Sequence, residues 1–420
     1  MTYTLIGWGL LCLPFFHKQS VAALDSLFIA TSAISTTGLV TVSVFDTYNW
    51  FGQFIVMLLF QIGGIGYMTF TSFVILSRKG PLTRWHQRIL NAEFTMPKGF
   101  DIKDFLKSVI VFTILLETLG ALCFYIAFTR AGVEHNFAIW SSIFHSVSAF
   151  CTAGFGLYND SFEQFADHTF INTIISVLAI SGSLGFIVVT DLWNRISGKT
   201  KKITFTTIII FGVIILLLTL GTVMIYFFEP SVSQLGENKL MVSFFQSMTA
   251  LTTVGFNTVS VGRFSLGVML VIIFLMYVGA SPSGTGGGMK STTLTALLAI
   301  MWSRIRNNRR VTFFGRVIPL ERLYVATSVF MLYASVIFLS TFLLAMTEPF
   351  PLDQILFETT SAISTVGLST GITGNLTAWG KVVVIFVMFV GRLGLLTFGL
   401  AILARKNRIK TIEDEEDLAV

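Results

Sequence analysis

The sequence predicts an all-α, polytopic membrane protein in which one unit of span, short helix and span is written four times. Three observations lead there. Of 420 residues, 54% are hydrophobic and only 12% are charged, and the mean hydropathy is +0.79, far too apolar for an ordinary soluble domain. Runs long enough to cross a bilayer, which takes about 20 helical residues, lie at 51–76, 105–128, 170–192, 203–228, 324–346 and 379–403. Between them recurs a small, hydroxyl-rich phrase: SAISTTGL at 32–39, SAFCTAGF at 148–155, TALTTVGF at 249–256 and SAISTVGL at 361–368.

The period is roughly a hundred residues, so the repeat is one supersecondary unit rather than a local bias. The first unit takes residues 1–104, the second 105–202, the third 203–320 and the fourth 321–405, with a charged tail at 406–420. Residues 1–16 are apolar and carry no Lys or Arg, so they read as a retained first span and not as a cleaved signal peptide. Each phrase closes a stretch of about a dozen residues, at 23–35, 139–151, 240–252 and 352–364. Such a stretch is too short to cross and is expected to enter from outside and turn back as a pore helix.

The second spans carry GGIG at 63–66, GSLG at 182–185 and GRLG at 391–394, small residues that permit close backbone approach. In the third unit the chain after Gly279 reads ASPSGTGGGMKSTT, which cannot continue as a straight helix. That second span is expected to be broken in mid-membrane.

Charge placement sets the orientation. Residues 78–107, 195–202, 304–322 and 405–410 hold 21 of the 28 Lys and Arg. The positive-inside rule makes these stretches cytoplasmic, with both termini inside. The net charge of +6 is therefore no nucleic-acid surface. The outer loops hold ten acidic against five basic groups, which either concentrate cations at a mouth or are ordinary solubilising loops. Cys12, Cys123 and Cys151 are far apart in apolar sequence and read as small hydrophobes.

A glycine at the end of a pore helix frees the backbone to present carbonyls, and the Thr beside it adds a hydroxyl oxygen. Four such segments arranged with pseudo-fourfold symmetry around a central ion pore would form an oxygen-lined filter for a monovalent cation. Pore-helix C-termini would add partial negative charge toward it. The plainer alternative is four helix C-caps that serve packing alone.

The four phrases, the broken third span and Arg392 resemble the Trk/Ktr/HKT superfamily of potassium transporters. With eight spans and no added pair, the chain is most similar to the Ktr membrane subunit. The resemblance implies that carbonyls of Thr36, Thr37, Gly38, Thr152, Ala153, Gly154, Thr253, Val254, Gly255, Thr365, Val366 and Gly367 line a K+ path. Glycine at all four filter positions implies potassium selectivity.

It also implies a gate below the filter, formed by Gly279, Ser281, Ser283, Gly284, Thr285, Gly286, Gly287, Gly288 and Lys290 with Arg392. Pro282 departs from the small, flexible residues expected there. The loop is no phosphate loop, since Met289 separates its glycines from Lys290. Lys290 either faces the path or snorkels to cytoplasmic water.

The further implications are a homodimer in the plasma membrane, seated on a cytoplasmic ring of nucleotide-binding regulatory subunits and taking up K+ from outside. Na+ is implied as a stimulating ion. This chain has no nucleotide-binding unit of its own.

Glu117, within an apolar run, is either an ion- or proton-coupling group or an interhelix contact. A K+/Na+ or K+/H+ symporter thus stands beside the channel-like reading. Glu358 is expected to anchor the filter, and His145 to be packed rather than to ligate. The five His are scattered among the repeats, and no catalytic cluster suggests an enzyme.

Overall fold

Capping side chains decide where three membrane helices begin. Asn49, Thr204 and Thr377 accept from the backbone N–H of Gly52, Thr207 and Gly380 at 3.1, 3.4 and 3.2 Å, satisfying donors that have no partner inside the helix. The computed structural model describes residues 2–66, 102–200, 202–233 and 238–394. The basic stretches at 78–101 and 405–410, the ends of two expected spans at 67–76 and 395–403, and the charged tail lie outside the described residues.

In the first repeat, α1 (Thr2–Leu11), α2 (Ala23–Ile34) and α3 (Trp50–Ile65) take the places of span, pore helix and span. The second has α4 (Ile102–Arg130), α5 (His135–Phe150), α6 (Thr169–Ser183) and α7 (Phe186–Ile196). The third has α8 (Phe205–Phe228), α9 (Lys239–Thr252), α10 (Leu266–Val278) and α11 (Ser291–Ile305). The fourth has α12 (Leu320–Thr347), α13 (Leu352–Ile363) and α14 (Ala378–Leu393). A small antiparallel hairpin, Thr312–Phe313 with Arg316–Val317, joins the last two repeats.

Ser108–Arg130, Phe205–Phe228 and Leu320–Thr347 are long and apolar enough to cross a membrane, yet only 28%, 33% and 22% of their apolar windows are buried. The remainder, including Leu119, Leu216 and Phe338, faces outward, which suits hydrocarbon and not water.

The third second-span is broken as expected, α10 and α11 being separated by 279–290, but it is not alone: α3 and α14 also stop at a glycine, and α6 stops one residue short of one. Gly66, Gly185, Gly279 and Gly394 have φ of 90, 90, 66 and 76°, a region that L side chains rarely enter. In the second repeat α6 and α7 are bent by 92° across the break. Hydropathy runs on through these glycines, so a helix end set by one backbone dihedral is invisible to it.

Packing links the repeats in a cycle. α3 packs on α5, α6 on α9, α10 on α13 and α14 on α2. Each of these helices thus meets the short helix of the following repeat, and the last meets the first. Buried side chains fill these seams, with Phe60, Phe144 and Phe155 between the first two repeats and Phe28, Leu39 and Met388 between the last and the first. At one end of that final seam, Lys381 pairs with Asp25 at 2.7 Å.

Candidate ion pathway

The four short helices α2, α5, α9 and α13 end in the same turn. Thr36, Thr152, Thr253 and Thr365 have φ of 52, 50, 60 and 48°. A β-branched residue in this region is a true outlier, of the kind that costs about 1–3 kcal/mol and gathers at functional sites. The turn returns the next N–H to the helix. Thr37, Ala153, Val254 and Val366 donate to the carbonyls of Ser32, Ser148, Thr249 and Ser361 at 2.8, 2.8, 3.2 and 2.9 Å. This is the closing bond of a Schellman motif, with Thr in the place usually held by glycine.

The next residue is the glycine, and here the repeats meet. Gly38, Gly154, Gly255 and Gly367 have φ of 87, 68, 82 and 93°. A methyl group on Gly38 would meet the Ala153 carbonyl oxygen at 2.5 Å, and one on Gly154 would meet that of Val254 at 2.7 Å. Methyl groups on Gly255 and Gly367 would collide with the carbonyls of Val366 and Thr37. The contacts run from first repeat to second, third, fourth and back to the first. Glycine is required here by both dihedral and space.

The segment after Gly279 lies against three of these turns. Thr285 Oγ1 accepts from Thr152 Oγ1 at 3.1 Å and donates to the Phe150 carbonyl at 3.1 Å. Gly287 N–H donates to Thr253 Oγ1 at 2.9 Å. Gly286 and Gly287 have no room for a Cβ, which would strike Thr253 Oγ1 and Ala280 in one case and Ser364 and Thr365 in the other. The segment is also sewn to the break in the second repeat: Ser281 and Thr285 N–H donate to the carbonyls of Ser183 and Gly182 at 3.1 and 3.0 Å, and Phe186 N–H to that of Ser283 at 3.1 Å. Its backbone is tight, with positive φ at Ser283, Gly288 and Lys290 as well as Gly279. Gly284, by contrast, keeps an ordinary turn bond from its N–H to the Ser281 carbonyl at 3.3 Å.

Arg392 joins this assembly from the fourth repeat. Its Nη1 donates to the Thr285 carbonyl at 2.6 Å, and its Nη2 to the carbonyl of Gly63 in the first. Lys290 turns inward, with Nζ donating to the Gly286 carbonyl at 2.6 Å. Of its two sequence readings, snorkelling to water is not what this contact describes.

The match to known proteins follows the same residues. The TrkH family, described as cation transport protein, matches residues 4–408, which include all four turns, the third-repeat loop and Arg392. The chain belongs to the TrkH family of cation transport proteins.

Its relatives within the TrkH family cover nearly the whole chain. The potassium/sodium uptake protein NtpJ of Enterococcus hirae is 33% identical over 416 residues, spanning 96% of this chain and 91% of that protein. The Ktr system potassium uptake protein B of Vibrio alginolyticus is 32% identical, over 92% of this chain and 86% of its own length. Among solved structures, the potassium transporter TrkH from Vibrio parahaemolyticus superposes with a TM-score of 0.73 at 19% identity, covering 91% of this chain and 79% of that one. This likeness shows a shared fold. A TrkH-family protein is a membrane transporter of cations and not an enzyme.

Beside the turns, this TrkH-family chain holds a half-buried acid and a buried one. Glu117 on α4 accepts from Gln61 Nε2 on α3 at 3.0 Å, with Cys151 Sγ 3.7 Å from its other oxygen. It is thus an interhelix contact in this structure, and Gln61 is the partner that sequence reasoning missed. Glu358 on α13, 1% exposed, accepts from Ser369 Oγ, Thr370 N–H and Thr373 Oγ1 at 2.5, 3.0 and 2.9 Å. It ties the strand leaving the fourth turn to its own pore helix. His145 is packed among Tyr158, Phe162 and Phe144.

Proposed function

We propose that this chain is the ion-translocating subunit of a Ktr-type potassium uptake system, working in a channel-like way. The observation that carries this is the closed cycle of contacts among Gly38, Gly154, Gly255 and Gly367 with the carbonyls of Thr37, Ala153, Val254 and Val366. Four strained turns that converge in this way are the arrangement in which backbone oxygens replace an ion's hydration shell. The reading therefore takes the four repeats as pseudo-fourfold around one pore and the twelve T-x-G residues as its K+ filter. That relatives are named potassium uptake proteins supports K+ as cargo.

The gate in this reading is residues 279–290 with Arg392. Its support is the hydrogen bonding of the loop to Thr152 and Thr253, directly beneath the turns. An ion leaving the filter would have to displace it. Regulation then belongs to a partner: a homodimer of this chain on a cytoplasmic ring of nucleotide-binding subunits, consistent with relatives named as parts of a Ktr system. Sodium stimulation is supported only by the potassium/sodium name of NtpJ.

Reversal potentials of the purified protein in planar bilayers test the mechanism. A channel-like protein follows the K+ gradient, and an obligate K+/Na+ or K+/H+ symporter shifts with both ions. The Gln61 contact of Glu117 favours a tie between helices over a coupling role. K+ uptake by cells stripped of their own K+ systems, with and without a co-expressed regulatory ring, tests the partner. Uptake that the ring leaves unaltered would remove it from the proposal.

A further inference from the structure

Three of the four turns are fastened on their outer side by chemically different side chains at one position. Seven residues before the left-handed Thr stand Ile29, His145, Gln246 and Glu358, and five residues after it stand Thr41, Leu157, Thr258 and Thr370. His145 Nε2 accepts from the Leu157 N–H at 3.1 Å, while its Nδ1–H donates to the Ser141 carbonyl at 2.8 Å. This pair of partners fixes a neutral imidazole with the proton on Nδ1. Gln246, with its amide oxygen toward the loop, accepts from the N–H of Thr258 at 3.0 Å and of Val259 at 3.1 Å. Glu358 accepts from the Thr370 N–H at 3.0 Å. All three are buried, at 0%, 0% and 1% exposure.

Imidazole, amide and carboxylate share here only an acceptor aimed at the same backbone N–H. The first repeat differs. Ile29 offers no acceptor, and Thr41 carries a buried hydroxyl without a partner.

We infer that His145, Gln246 and Glu358 are positioning residues for ion selectivity, each holding the outer end of its filter segment to its own pore helix, and that the first segment, which lacks this tie, is the most deformable. The inference rests on the filter reading above. A carbonyl ring discriminates between ions by oxygen number and placement, and a segment released at its outer end no longer holds its oxygens in place. Side chains that never touch the ion would thereby set selectivity.

The test is the K+/Na+ permeability ratio of the full-length protein in proteoliposomes, with thermal stability measured alongside. His145→Leu, Gln246→Met and Glu358→Met should each lower the ratio about tenfold, the factor expected for one lost buried hydrogen bond. His145→Gln and Glu358→Gln keep an acceptor and should restore it. Ile29→Gln, which adds one, should raise the ratio. A lower melting temperature with an unchanged ratio in the apolar variants means a merely structural role and overturns the inference, as does an unchanged ratio in Ile29→Gln. Gly38→Ser separates the two layers. If it alters selectivity and the anchor variants do not, the anchors fall and the filter stands; if neither does, both fall.

Discussion

Arg392 Nη1 donates to the carbonyl of Thr285 at 2.6 Å, across 107 residues, about one repeat's worth of sequence. With Nη2 on Gly63, the same guanidinium bridges the fourth repeat, the third-repeat loop and the first. A planar fork of donors suits this, and a lysine, as a point charge, does not. Replacing Arg392 by Gln should therefore loosen the loop and raise resting K+ flux about tenfold, as loss of a charge-assisted hydrogen bond allows. Arg392→Lys should fall between. Rubidium uptake into proteoliposomes without any regulatory partner measures this, and equal flux in Arg392→Gln and wild type would show that the arginine does not hold the loop.

Thr285 offers a second handle on the same loop. Its hydroxyl bonds Thr152 Oγ1 and the Phe150 carbonyl, each at 3.1 Å. Thr285→Val keeps the shape and removes both bonds, so at about 1 kcal/mol for each bond lost resting flux should rise by about thirtyfold. Deleting the middle of the loop should raise it further. A deletion with wild-type resting flux would mean that the loop does not obstruct the path.

How far these relationships can be read in advance depends on what writes them. The T-x-G turns are legible because a glycine two residues after a Thr, with small neighbours, recurs four times in one place, and the third-repeat loop because ASPSGTGGG cannot be a lipid-facing helix. Arg392 stands out because a charge inside an apolar run is costly. The helix ends at Gly66 and Gly394 and the break at Gly185 are hidden because apolar sequence continues past them, and only the dihedral records them. The outer ties are hidden for another reason. His145, Gln246 and Glu358 look unrelated as letters, and their common function as acceptors emerges only when the loop N–H groups lie opposite them. Gln61 was unreadable as the partner of Glu117 because nothing in sequence joins residues on separate helices.

Gly38 tests the filter where the cost of a side chain is clearest. It has φ of 87°, and a Cβ would meet the Ala153 carbonyl oxygen at 2.5 Å. Gly38→Ser must therefore push that oxygen aside or twist its own turn, at a strain of about 1–3 kcal/mol. The oxygen ring is then misplaced, and K+/Na+ discrimination should weaken by about tenfold or more, on 1.4 kcal/mol per decade. Competition between Rb+ and Na+ for uptake reads this directly. Undiminished discrimination would argue that this ring is packing and not filter.

Glu163 gives a pH dependence of definite sign. It lies in the loop after the second turn, and burial, then the nearby Asp160, raise its carboxyl above the ordinary 4.5, against smaller opposing effects of Asn257 and Arg263. The folded protein thus keeps this proton to higher pH than the unfolded chain. Between 4.5 and the raised value the native state binds more protons, so stability falls as pH rises through that window and levels off above it. Glu163→Gln cannot titrate, and its unfolding temperature should show a flatter descent there, with the advantage over wild type greatest above the window. Asn257 Nδ2 donates to Glu163 Oε1 at 2.8 Å and favours the charged form, so Asn257→Ala should push the carboxyl higher and extend the descent. Thermal unfolding in detergent from mildly acidic to neutral pH compares the three proteins. Parallel curves for wild type and Glu163→Gln would show that this carboxyl does not set the slope.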